Sequence, residues 1–100
     1  MIIFINVFHV SPKDQQRAVD ILTQITGDIV SKAPGFVSST LHRSSDGTKV
    51  AMHARWRSYA DYEAMRRDPA PLTALNELMT IARFDPGMYE VVQEFNPPPS

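Results

Sequence analysis

The chain has 100 residues, enough for one domain with a modest core, and 43% of them are apolar. A formal charge of −1 gives no electrostatic footprint for nucleic acid or for an acidic membrane surface. The absence of cysteine excludes thiolate catalysis, disulfides and Cys-ligated metals.

The opening MIIFINVFHV has neither a basic n-region nor a small-residue cleavage site, so Ile2 to Val10 reads as a first strand rather than a signal peptide. No apolar run approaches a membrane span, and the expectation is a soluble cytoplasmic protein. Alternation puts Phe4, Asn6 and Phe8 on one face of the strand and Ile3, Ile5, Val7 and His9 on the other. Ser11, Pro12 and Asp14 then form a helix-start signal. Ala18, Ile21, Leu22, Ile25 and Ile29 follow at helical spacing, which predicts an amphipathic helix to about Lys32.

Ala33-Pro34-Gly35 ends that helix and a hairpin follows, with Asp46-Gly47 as the two central residues of a tight turn. That register sets Leu41 opposite Met52, Ser39 opposite Ala54 and Val37 opposite Trp56. Opposed residues share a face, so Val37, Leu41, Met52 and Trp56 make an apolar side. Ser38, Thr40, His42, His53 and Arg55 make a polar one.

Ser58 and Asp61 read as a capping box opening a second helix through Tyr62 and Met65. Arg67-Asp68-Pro69-Ala70-Pro71 breaks it, and Leu72, Leu75, Met79 and Ala82 resume helical spacing. Asp85-Pro86-Gly87 reads as a turn and Met88 to Phe95 as the last strand. Residues 1–95 form a single domain in this reading, and Asn96 to Ser100 a Pro-rich, frayed tail.

The order β-α-β-β-α-β is that of a ferredoxin-like α+β fold with an antiparallel four-stranded sheet. Helices cover one face of such a sheet. Ile3, Ile5, Val7, Val91 and Phe95 call for a second layer, and a second copy of the chain is the simplest one, which predicts a homodimer.

The three histidines lie on three different strands without further ligand-type residues at metal-site spacing, so no metal site is expected. His53 and Arg55 are secondary candidates, placed by the register towards the subunit contact. Trp56 serves either as a core anchor or, with Phe4, Phe8 and Met52, as the wall of a slot for a flat aromatic molecule. Tyr62, six residues on, either half-buries a wet hydroxyl or points it over that slot. Asn6, an amide between two Phe residues, is either a hydrogen-bonded structural residue or a substrate contact. No catalytic triad, phosphate-cradling loop or dinucleotide fingerprint is present in the sequence.

The segments PGFVSSTLHRSSDGTKV and ARWRS, the helix bearing Tyr62 and the run FDPGMYEVV resemble the antibiotic biosynthesis monooxygenase family over nearly the whole chain. The resemblance implies a dimeric α/β barrel holding a planar substrate between helices and sheet. Trp56 matches the family's strand-end W-x-S motif, and Tyr62 the helix Tyr of the anthrone oxygenases. The Asn that those enzymes place four residues before the Trp is Met52 here, and Met cannot hydrogen-bond a developing enolate strongly. Asn6 matches the first-strand Asn of the haem-degrading members, but Met65 and Leu75 stand where those carry Trp and His, so haem is not expected.

The resemblance implies a small O2-dependent oxygenase acting on a polycyclic aromatic polyketide, a quinone or anthrone, with ring opening as one outcome. Catalysis is assigned to Asn6, Trp56 and Tyr62, and substrate binding to Phe4, Phe8, Leu41, Met52, Trp56 and Met65. INVFHV, Met52-His53 and FDPGMYEVV look most similar to the ring-opening members. On that likeness reduced flavin (FADH2 or FMNH2) is expected as a diffusible co-substrate, with a separate flavin reductase as a partner. The alternative is a non-catalytic dimeric binding protein for a small aromatic ligand, favoured by the loss of Asn at position 52.

Overall fold

A computed structural model describes residues 1–99. Four antiparallel strands, β1 (Ile2–Val10), β2 (Phe36–Arg43), β3 (Lys49–Trp56) and β4 (Ala82–Tyr89), form one sheet in the order β2-β3-β1-β4. The helices are α1 (Gln15–Asp28), α2 (Tyr59–Arg66) and α3 (Leu72–Met79), with 3-10 turns at Pro12–Asp14 and Val30–Lys32. This is the expected ferredoxin-like α+β architecture. β1, the strand richest in β-branched and aromatic residues, takes a central position between β3 and β4.

All three helices pack on the face carrying the even-numbered residues of β1, β3 and β4. Phe8 and Val50 meet Ala18, Ile21, Leu22 and Ile25 of α1 and Leu78 of α3 in one core cluster. Ala54 and Trp56 meet Tyr62 of α2 in a second, with Phe4, Phe36, Met65 and Met88 packed against them. Ser58 caps α2 by accepting a hydrogen bond from the Asp61 backbone N–H at 3.2 Å, so the expected cap is present. Gly35, at φ +85°, lies so close to the Asp61 side chain that a Cβ has no room, and its carbonyl accepts from Arg57 N–H at 2.8 Å. These contacts dock the turn before β2 against the start of α2. No described helix is long and apolar enough to cross a membrane.

Several sequence expectations need correction. The hairpin register holds at Leu41–Met52 and Ser39–Ala54, but a bulge between Phe36 and Ser38 puts Phe36 opposite Trp56 and leaves Val37 47% exposed. The two-residue turn is replaced by a four-residue loop closed by the Ser44 N–H to Lys49 carbonyl bond. Gly47 alone takes a positive φ there, whereas the expected turn requires two. Asp46 organises the loop instead, its Oδ1 accepting from Thr48 N, Thr48 Oγ1 and Ser44 Oγ at 3.0, 2.7 and 2.8 Å. The long first helix ends at Asp28, because Val30–Lys32 tightens to 3-10.

The largest correction concerns the last strand. Asp85-Pro86-Gly87 lies inside β4, and residues 90–99 form neither helix nor strand. β4 is an edge strand, where a proline without an N–H does not break an interior ladder. Val91 and Phe95 consequently leave the sheet and are 64% and 87% exposed. Ser100 of the proposed tail lies outside the described residues.

Candidate active site

Cross-strand pairing arranges the helix-side face in rows. Ile2, Trp56 and Phe36 make the first row, and Met88, Phe4, Ala54 and Ser39 the second. Pro86, Asn6, Met52 and Leu41 make the third, and Phe84, Phe8, Val50 and Arg43 the fourth. Successive rows are about 7 Å apart at strand spacing. Asn6 therefore sits at the middle of the sheet, beside Met52 and between two aromatic groups.

On one side Phe4 stacks obliquely on Tyr62 with centroids 5.1 Å apart, and Trp56 meets Tyr62 edge to face at 5.9 Å. On the other side Phe8 and Phe84 meet edge to face at 4.9 Å. Such pairs hold rings in fixed orientations as well as burying them.

Asn6 is only 6% exposed. Its Oδ1 accepts the Asp85 N–H at 3.1 Å, next to the proline that offers no N–H of its own. Its Nδ2 makes no hydrogen bond within the described residues, yet it is not among the atoms sealed from water without a partner. The carboxamide thus has an occupied acceptor and a donor without a hydrogen-bond partner among the described residues.

Tyr62 is 4% exposed, and its Oη accepts from Arg66 Nη1 at 3.2 Å. Trp56 is 1% exposed: it stands behind Tyr62, sandwiched with Phe36, rather than on an open surface. The expected grouping therefore divides. Phe4 and Tyr62 come together, with Met65 packed in the same cluster and Trp56 as their backing wall, while Asn6 lies one row further along β1. Phe8, Leu41 and Met52 belong to the adjoining cluster against α1 and α3. His53 and Arg55 lie on the opposite sheet face, across from Thr40 and Ser38, as the hairpin register implied.

Grooves of about 440 and 350 Å³ run beside α2 and α3 and share Asp28, Ile29 and Ala70. Of the candidate residues only Met65 lines either of them, so neither groove is the slot itself. Among the described residues no group of three or more His, Cys, Asp or Glu is placed to hold a metal ion.

Two residues escaped the sequence reading. Arg66 falls four residues after Tyr62 on α2, a spacing that would have flagged it. Phe84 was missed because β4 was placed too late in the chain.

A one-sided antiparallel sheet, with aromatic groups packed under its helices and a lone buried amide between them, defines a small ferredoxin-like α+β protein. The chain belongs to the antibiotic biosynthesis monooxygenase family, whose model matches residues 1–76. It is an oxygen-dependent oxidoreductase of that family. It is 41% identical to tetracenomycin-F1 monooxygenase of Streptomyces glaucescens over 91 residues, which span 91% of this chain and 81% of the relative. The fold superposes on the ActVA-Orf6 monooxygenase of Streptomyces coelicolor, crystallised with nanaomycin D, with a TM-score of 0.83 at 24% identity, covering 97% and 92% of the two chains. SnoaB of Streptomyces nogalater, described as a cofactor-independent oxygenase, superposes with a TM-score of 0.80 at 22% identity, covering 93% and 94%. That description overturns the expectation of reduced flavin as co-substrate.

Proposed function

We propose that the protein oxidises a polycyclic aromatic polyketide of anthrone or phenol type to a quinone, with O2 as oxidant and the substrate itself as electron source. The similarity to tetracenomycin-F1 monooxygenase supports the substrate class. The observation that carries the chemistry is the free Nδ2 of Asn6 between two aromatic groups.

The residues lining the slot include no carboxylate, lysine or histidine to act as a base. The substrate must supply its own acidity, and the protein must strengthen it. A phenolic or keto oxygen set against Asn6 Nδ2 and the Tyr62 hydroxyl has its developing negative charge stabilised by two fixed donors in an apolar site. Phe4, Phe8, Met52 and Leu41 fix the plane of the rings, while Trp56 holds Tyr62 in place. Loss of a proton makes the ring system electron-rich, and it then reduces O2. Overall a methylene carbon loses two hydrogens and gains one oxygen atom; the other oxygen leaves as water, and no outside reductant enters the balance.

The sheet face away from the helices carries Ile5 and Val7 beside Ser38, Thr40, His42, His53 and Arg55, with Ile3 already buried, and a second copy of the chain packed sheet to sheet would cover it. We place this homodimer in the cytoplasm. Sedimentation at micromolar concentration tests it, and a sharp monomer peak would refute it. An oxygen electrode tests the reaction, with a tricyclic anthrone as substrate and no flavin added. Protein-dependent uptake of one O2 per anthrone supports it, whereas uptake no faster than autoxidation refutes it.

A further inference from the structure

We propose that Arg66 is a positioning residue that holds the Tyr62 hydroxyl as a donor towards the slot and biases the site towards phenolic substrates over their ethers. This deepens the reading above and rests on it. Arg66 Nη1 donates to Tyr62 Oη at 3.2 Å, and the guanidinium carbon lies 5.8 Å from the centroid of the Tyr62 ring. A tyrosine hydroxyl that accepts from a guanidinium has its own proton left to donate elsewhere. Tyr62 is buried, and its ring is packed by Phe4, Trp56 and Tyr59. The bond from Arg66 therefore selects the orientation in which Tyr62 gives its proton to a bound oxygen.

The charge of Arg66 is the second half of the argument. Arg17 and Arg57 each pair with a carboxylate, Glu77 and Asp61, whereas Arg66 has no carboxylate within ion-pair distance among the described residues. Glu63, three residues before it, adds to the field at Arg66 without forming an ion pair with it. Arg66 occupies the last turn of α2, where the helix dipole favours a cation. Only one of its five N–H groups is engaged within the protein. A lasting positive charge thus bears on the Tyr62 oxygen, and through it on any oxygen that Tyr62 contacts, favouring a substrate oxygen that carries negative charge.

Two probes test this: 1,8-dihydroxyanthraquinone and its dimethyl ether, with binding followed by quenching of Trp56 fluorescence. The wild type is expected to bind the phenol about tenfold or more tighter than the ether, the size of a charge-assisted hydrogen bond. Arg66→Gln should remove that preference while leaving ether affinity unchanged, and Arg66→Lys should restore part of it. In turnover with an anthrone, Arg66→Gln should lower kcat about tenfold, and the same change in a Tyr62→Phe background should have little further effect. Equal loss of phenol and ether binding, unchanged kcat, or an undiminished effect in the Tyr62→Phe background overturns the proposal. Absence of any binding by the wild type overturns it too, and the slot reading with it. Arg66-dependent phenol binding without turnover by the wild type upholds the proposal and removes the oxygenase reading instead.

Discussion

Replacing Asn6 by Ala separates its observed structural role from its proposed catalytic one, because they fall to different atoms. The Oδ1 role is structural: it holds the Asp85 N–H at 3.1 Å at a side chain 6% exposed. Its removal leaves that N–H without a protein partner at the edge of the sheet, a loss of about 1–2 kcal/mol. For a domain of this length the melting temperature should fall by roughly 4–16 °C. The Nδ2 role is the proposed one, a donor without a protein partner offered to the substrate oxygen. Loss of one such donor lowers turnover by about a hundredfold or more. Circular dichroism melts give the first quantity, and an oxygen electrode, run well below both melting temperatures, gives the second. A variant with a lowered melting temperature but wild-type kcat would refute the reasoning, and Asn6 would be only a fastener between β1 and β4.

Leu78→Ala should destabilise the fold by about 2–5 kcal/mol, because Leu78 is fully buried between α1 and the sheet; urea unfolding checks it, and a loss under about 1 kcal/mol would mean α3 is not part of the core. Gly35→Ala should cost about 1–3 kcal/mol in the same assay, since a Cβ at φ +85° meets the Asp61 side chain. Asp46 gives a pH dependence: the Thr48 hydroxyl, then the Thr48 N–H and the Ser44 hydroxyl, lower its carboxyl from 3.8 to about 2. The native state therefore holds fewer protons than the unfolded one, so this contribution is full above about pH 4 and disappears as the pH falls towards 2. Asp61, lowered by Arg57 and then by Ser58, acts in the same direction. Asp46→Ala should reduce stability at neutral pH and flatten the acid limb of melting temperature against pH; an unchanged limb would contradict it.

The fold was legible wherever local chemistry and tertiary demand agree. β1 ends where its alternation ends, Ser58 caps α2, and Leu41 faces Met52 because both apolar sides of the hairpin must face the helices. What was hidden depends on neighbours. Pro86 and Gly87 carry turn chemistry in isolation, and only the edge position of β4 makes them strand residues. The bulge at Val37 and the four-residue loop at Asp46 likewise follow from sheet twist and side-chain bonds that no periodicity records. Within the site, the residue types were readable but their depth was not. Trp56, expected to clamp a substrate, is sealed behind Tyr62, and the free donor of Asn6 emerges only once Asp85 is seen to occupy its oxygen.

The central claim is that this slot lets an acidic aromatic substrate reduce O2 without flavin. The most direct measurement is the mass of the product formed from a tricyclic anthrone under 18O2, using flavin-free protein. The account predicts a quinone that has lost two hydrogens and carries one 18O atom, formed at a rate that falls in Asn6→Ala and Tyr62→Phe. A labelled product formed equally fast without protein, or only after reduced flavin is added, would contradict it.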